Sequence, residues 1–226
     1  MEPKADLPLP NAPACERNRE PFLAALLPHL VPAVAALKRR CECLEVGSGT
    51  GQHAAWFTNH FASDDADPVL RNLYWQPSEL EANLSGVERW RIHNGVAQML
   101  PAQALDLRSA SWLQARYDFF YTANTLHIVS WPLVEVLCAG VVRSLRENGL
   151  AFIYGPFSYH GVQTSEGNQR FDSDLRARDP RSGIRDCDAV LALLQHAAQA
   201  QQARIELRED KSMPANNRLL VLQLQR

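Results

Sequence analysis

Short apolar runs of strand length alternate along this chain with longer segments whose apolar residues recur at helical spacing. Cys41–Val46, Leu73–Gln76, Ala102–Leu107, Tyr117–Ala123 and Leu150–Tyr154 predict strands, and Ala54–Phe61, Glu79–Ile92 and Leu133–Leu145 predict helices between them. This alternation is the mark of βαβ units and a parallel sheet. The end of the chain departs from it. Ile205–Asp210 and Leu219–Gln225 read as strands joined by the turn-rich Lys211–Arg218, too short for a crossover helix, so the pair is antiparallel. The pattern predicts a doubly wound α/β sheet, mostly parallel, with one reversed strand near the C-terminus.

Ahead of the sheet, a Pro-rich leader ends near Pro13, and Arg17 to about Leu27 has the spacing of an amphipathic helix. The apolar stretch Phe22–Leu37 contains Pro28, His29 and Pro32. It predicts a buried helix broken near its prolines, too short for the roughly 20 apolar residues of a membrane span. Residues 1–38 are therefore read as a leader with a capping helix, and 39–226 as one domain. Between Gly155 and Asp186 the residues turn polar and charged, which predicts a lid-like insert with a short helix near Asn168–Arg178. A last helix is expected across Asp186–Gln199.

Composition narrows the classes of function. The 226 residues carry 23 Lys and Arg against 25 Asp and Glu, a formal net charge of −2, so no basic surface for nucleic acid or anionic lipid is expected. The start, Met1–Asp6, lacks the apolar stretch of a secretory signal. Five cysteines without CxxC spacing indicate neither a disulfide framework nor a metal knuckle, and a cytoplasmic location is expected. Cys41 and Cys43 read as small residues on one face of a strand.

The strongest chemical signal is Cys43-Leu44-Glu45-Val46-Gly47-Ser48-Gly49-Thr50-Gly51-Gln52-His53, a strand running through three alternate glycines into a helix. Glycine permits left-handed turns and lets a ligand approach the backbone closely, and this turn follows the first strand, where doubly wound sheets bind ligands. Dinucleotide-binding turns read GxGxxG; this one reads GxGxG.

That spacing resembles motif I of the class I S-adenosylmethionine-dependent methyltransferases, whose Rossmann-like seven-stranded sheet also has one reversed strand. The resemblance implies S-adenosylmethionine as cofactor, with Glu45, Gly47, Ser48, Gly49, Thr50 and Gly51 around its methionine part. It places Gln76 at the ribose, where related enzymes carry an acid, with Ser78 or Glu79 assisting. Asp106 and Leu107 would take the adenine, the alternative for Asp106 being a surface cap, and Asn124 would lie near the sulfonium. Glu16–Arg19, Ser48–His53, Trp75–Ser78, Tyr154–Phe157, Arg178–Pro180, Gly183–Asp186 and Met213–Asn217 together resemble the methyltransferase-like protein 26 family over nearly the whole chain. That family implies the fold and supplies no substrate.

Methyl transfer asks a protein mainly to align a nucleophile and sometimes to take a proton. His127 is the candidate base near neutral pH, or else a cap for the helix starting near Trp131; Tyr154 orients a substrate or packs. Arg17, Asn18, Phe157, Asn216 and Asn217 are the candidate substrate contacts, with the two asparagines alternatively closing their own turn. Arg170, Arg176, Arg178 and Arg185 in the insert either face an anionic substrate or form a solvated surface. Three functions compete: methyl transfer to a small molecule, cofactor binding without turnover, and nicotinamide-dependent oxidoreduction, the last disfavoured by the glycine spacing.

Overall fold

A computed structural model describes residues 8–109 and 116–226. The first seven residues of the expected leader lie outside the described residues. The chain begins with α1 (Pro13–Leu37), continuous through Pro21, Pro28 and Pro32. The expected break is absent because Pro28 and Pro32 face solvent, while Phe22, Leu23, Leu26, Leu30 and Val34 are buried. Each such burial contributes about 1.5–3 kcal/mol, against about 3 kcal/mol for an internal proline, so packing carries the helix through. At 25 residues and a mean hydropathy of 1.5 in its most apolar window, α1 is long and apolar enough to cross a membrane, longer than the 16-residue stretch suggested.

Third in the order of a seven-stranded sheet lies β1 (Cys41–Val46). On one side stand β2 (Leu73–Glu79) and β3 (Gln103–Ala104), and on the other β4 (Tyr117–Ala123), β5 (Leu145–Gly155), β10 (Asn217–Gln225) and β9 (Arg204–Met213). The pairs from β3 to β5 are parallel, and β10 runs antiparallel to both β5 and β9. Alternation along the strands divides the core into two layers. Cys41, Cys43, Phe119, Tyr121, Phe152 and Tyr154 pack beneath α1, α2 (Gln52–Ala62) and α3 (Leu84–Asn94). Leu44, Val46, Phe120, Ile153 and Leu220 pack against α4 (Trp131–Ser144) and α6 (Cys187–Gln199). The two-residue period read for Cys41 and Cys43 is thus the period of the core itself.

Two element ends differ from the sequence reading in ways that matter for the site. The strand expected over Leu73–Gln76 continues through Pro77 to Glu79. The flanking Trp75 and Glu79 bond the outer segment at Gln98, Leu100 and Leu105, so Pro77, in alternation with them, turns its nitrogen toward the same side, where the chain loops away. The helix expected from Glu79 accordingly starts only at Leu84, after a 3-10 turn at Glu81–Asn83. At the other end, the Lys211–Arg218 loop shrinks to a turn at Pro214–Asn216, with Ala215 and Asn216 left-handed.

The insert has structure of its own. A small sheet of β6 (Phe157–Tyr159), β7 (Val162–Gln163) and β8 (Arg185–Asp186) accompanies α5 (Glu166–Arg178). Ser165 caps α5 by accepting from the Asn168 amide, and Asp186 caps α6 by accepting from those of Asp188 and Ala189.

Candidate functional site

The strand order reverses direction between β1 and β4, and the crevice outside their carboxyl ends is where an open α/β sheet binds ligands. A cleft of about 1000 Å³ opens there. Its floor is the glycine turn, and all three glycines have positive φ. A Cβ on Gly47 would lie 2.8 Å from Thr125 Oγ1, and one on Gly51 would lie 3.0 Å from the Val87 backbone, so these two serve packing. A Cβ on Gly49 would meet nothing within 4 Å. Gly49 is therefore the glycine that leaves its backbone open to an occupant of the cleft. Ser48 and Thr50 line the cleft beside it.

Three acids border this floor, at the ends of three neighbouring strands. Glu45 on β1 is 2 % exposed and accepts on one oxygen from the Ser48 hydroxyl at 2.9 Å and from Trp75 Nε1 at 3.0 Å. Burial pushes its pKa up from 4.5 to about 7; the two hydrogen bonds oppose that shift and nearby Glu79 adds to it. A folded value above the unfolded one means that the stabilising share of the protonated form is complete below about pH 4.5 and lost as pH rises through 7. Thermal unfolding should therefore show wild-type stability falling between pH 5 and 8 by up to about 3 kcal/mol. Glu45→Gln should flatten that slope; an unaltered slope would assign the pH dependence to other groups.

Glu79 ends β2 and lines the cleft; its carboxylate accepts from the Gly49 amide at 2.8 Å, the Leu80 amide at 2.9 Å and Asn83 Nδ2 at 3.3 Å. Gln76, expected at this place, is not part of the cleft lining. It donates to the Pro101 carbonyl at 2.7 Å, three residues before the strand's true end. Asp106 and Leu107 both line the cleft just beyond β3. Asp106 also closes its own turn, accepting from the Arg108 amide at 2.9 Å and pairing with its guanidinium at 2.6 Å, which holds the carboxyl below its ordinary pKa. Both alternatives for Asp106 thus have a geometric basis.

The segment before α1 and the first turn of α1 run over the cleft, with Pro10, Ala12 and Cys15 in its wall. Trp90 Nε1 donates to the Pro10 carbonyl at 2.8 Å, and Gln52 accepts from the Ala12 amide at 2.5 Å while donating to Asn11 at 2.9 Å. Neither Gln52 nor Trp90 stood out in the sequence as a site residue, since their partners lie some 40 and 80 positions away. Arg17 is exposed on α1. Asn18 bonds His53 Nε2 at 2.8 Å through its side-chain oxygen, and the other ring nitrogen of His53 lies 3.3 Å from the Tyr121 hydroxyl. Burial lowers the His53 pKa to about 4, so the ring is neutral and its Nε2 donates to Asn18. The Tyr154 hydroxyl faces the side chains of Asn18 and Asn217, and its ring lies 4.3 Å from that of Phe22. Tyr154 is thus buried beneath α1 and absent from the cleft lining.

At the end of β4, Asn124 lines the cleft with a left-handed backbone (φ 57°). Strain of this kind collects at ligand sites. His127 stands just behind the wall. A Cβ on Gly155 would lie 3.6 Å from His127 Nδ1 and 3.9 Å from Asn124 Oδ1, so both groups converge on the bare end of β5. Burial and, secondarily, Arg185 lower the His127 pKa to about 4; the expected base needing no large shift is instead a neutral imidazole with a large one.

Other expected contacts resolve differently. Phe157 is 1 % exposed within the α4–α6 core layer, because β6 turns it inward. Asn217 donates to the Pro214 carbonyl of its own turn at 3.2 Å, and the Asn216 carbonyl accepts from Asn168 at 3.2 Å. Of the insert arginines named from the sequence, Arg170 and Arg176 pair with Glu166 and Asp172, Arg178 is exposed, and Arg185 is buried among backbone carbonyls; a fifth, Arg181, pairs with Asp179 in the cleft lining. Among the described residues, no cluster of three or more His, Cys, Asp and Glu side chains could hold a metal ion.

Comparison with solved structures finds the same architecture. An O-methyltransferase family protein from Burkholderia thailandensis superposes with a TM-score of 0.64 at 12% identity, covering 91% of this chain and 59% of that one. Human N-acetylserotonin methyltransferase in complex with SAM gives 0.64 at 12%, covering 94% and 58%. An O-methyltransferase family 2 protein from Planctomyces limnophilus, in complex with apigenin, gives 0.66 at 13%, covering 91% and 61%. This chain spans less than two thirds of each. The sheet is thus the Rossmann-like sheet of methyltransferases, with its single reversed strand. A family model described as "Protein of unknown function (DUF938)" matches residues 9–224, and the chain belongs to that family.

Proposed function

We propose that the protein transfers a methyl group from S-adenosylmethionine to a small molecule, and that it falls within the methyltransferase-like protein 26 family, on the motifs quoted above. The observation that carries this reading is the open backbone of Gly49 at the strand-order reversal, flanked in the cleft lining by Glu79 on β2 and by Asn124 just beyond β4. The donor set suits the group. Gly49 leaves room for a ligand against the turn, Glu79 offers two carboxylate oxygens to ribose hydroxyls, and Asp106 and Leu107 offer an acceptor and an apolar face to adenine. S-adenosylmethionine supplies a methyl carbon that leaves sulfur with the bonding pair staying on the sulfur, giving S-adenosylhomocysteine.

On this reading the acceptor lies over Gly155, between Asn124 and His127. A neutral His127 Nδ1 would accept a hydrogen bond from the acceptor's O–H or N–H and so orient the acceptor's lone pair for attack; the acceptor's proton would pass to solvent. Tyr154, Asn18 and Asn217 order the layer behind it, and Arg17 stands at the exposed rim. The reaction is proposed for the cytosol, on the cysteine pattern, with neither nucleic acid nor membrane as partner.

Calorimetry with S-adenosylhomocysteine, S-adenosylmethionine and NAD, followed by a methyl-transfer screen over metabolite extracts, tests the proposal. Binding of the first two and a methylated product that disappears in His127→Asn are expected. Binding of NAD alone would overturn the reading, and binding without any product would leave a cofactor-holding protein.

A further inference from the structure

The turn joining β4 to α4, Leu126–Val129, belongs to neither a strand nor a helix, yet all four of its carbonyls are bonded by one short stretch of the insert. Leu126 O accepts from Arg185 Nε at 3.0 Å and His127 O from the Gly183 amide at 2.9 Å. Ile128 O accepts from the Ser182 hydroxyl at 3.2 Å, and Val129 O from Arg185 Nη2. Arg185 Nη2 also donates to the Arg181 carbonyl at 2.8 Å. With its carbonyls drawn to the insert, the turn leaves the His127 ring beside Gly155 and Asn124, and Ile128 and Val129 in the cleft wall.

Arg185 is 8 % exposed and, among the described residues, takes part in no ion pair. Asp172, an acid whose charge acts on Arg185, pairs with Arg176 at 2.8 Å and accepts from the Ile184 amide at 2.6 Å. A planar guanidinium can hold several fixed carbonyls at once, which a lysine ammonium on a flexible stem cannot reproduce. Ionic pairing therefore does not account for a buried arginine here; the turn that it grips does.

We propose that Arg185 is a positioning residue, whose guanidinium fixes the Leu126–Val129 turn so that His127 faces the acceptor. The inference rests on the methyl-transfer reading for what His127 faces, and on the geometry alone for what Arg185 does to it. The Phe171 ring lies 5.3 Å from that of His127, and His127 and the neutral amide of Asn124 both lie beside Gly155; the Asp172 and Arg176 pair, on the helix that carries Phe171, lies beside Gly183. Among these charged groups Arg185 is the one that bears directly on the ring, alongside burial.

The test uses the full chain and its variants Arg185→Gln and Arg185→Lys. The His127 ring resonance, assigned by its loss in His127→Asn, is followed against pH, together with hydrogen exchange at the Gly183 amide. In Arg185→Gln the His127 midpoint should rise, burial remaining the larger cause of its depression, and Gly183 exchange should quicken by about tenfold or more, with the β4 amides unchanged. Arg185→Lys should keep the midpoint and quicken the exchange. If the glutamine variant does not fold, exchange in the lysine variant decides alone. An unmoved midpoint in a folded Arg185→Gln protein, or wild-type exchange in either variant, overturns the proposal. Wild-type binding of S-adenosylhomocysteine, measured separately, tests the functional reading, so the two can fail independently.

Discussion

Gly49→Val should abolish S-adenosylhomocysteine binding while the protein remains folded. The valine Cβ would meet no atom within 4 Å, so nothing in the ligand-free fold has to move. Its cost to stability is the left-handed backbone at φ 58°, about 1–2 kcal/mol for a residue with a Cβ. Its branched side chain would occupy the space that lets a ligand approach the turn. Calorimetry should register no heat of binding, and circular dichroism should show a melt lowered by only a few degrees. Gly47→Ala offers the contrast, because its Cβ would collide with Thr125 Oγ1 at 2.8 Å and affect folding as well as binding. Affinity retained in Gly49→Val would move the cofactor away from this turn.

The same contrast shows what the sequence made legible. Strands buried on both faces announce themselves as continuous apolar runs, and Cys41–Val46 and Tyr117–Ala123 emerge in the structure with the bounds that the runs indicated. The glycine turn was equally legible, since its chemistry is local. Local signals misled where a distant partner decided the outcome. Pro28 and Pro32 read as helix breakers because the sequence does not show which face of α1 turns to solvent. Phe157 read as a substrate contact because the small sheet that buries it pairs with Arg185, far along the chain. The grip of residues 182–185 on the 126–129 carbonyls left no residue pattern at all, three of its four acceptors being main-chain atoms of apolar residues and the fourth that of His127.

Gln76 and Glu79 turn this lesson into a measurement. With β2 read as ending at Gln76, the proposed ribose contact falls to Gln76; with β2 ending where the structure ends it, the proposed contact falls to Glu79, an acid at the carboxyl end of the second strand. Hydrogen bonds from ribose hydroxyls to a carboxylate are charge-assisted, at about 1.5–3 kcal/mol each. Glu79→Ala should therefore weaken S-adenosylhomocysteine binding by at least about tenfold, and Gln76→Ala should leave it unchanged. Because Glu79 also holds the Gly49 amide at 2.8 Å, part of any loss could come from a loosened turn. An analogue without the 2′ and 3′ hydroxyls separates the two contributions. Wild-type protein should bind it far more weakly than S-adenosylhomocysteine, while Glu79→Ala should bind the two about equally. If the variant still prefers the hydroxylated ligand as strongly as wild type does, the carboxylate does not touch the ribose, and Glu79 serves only to hold the glycine turn.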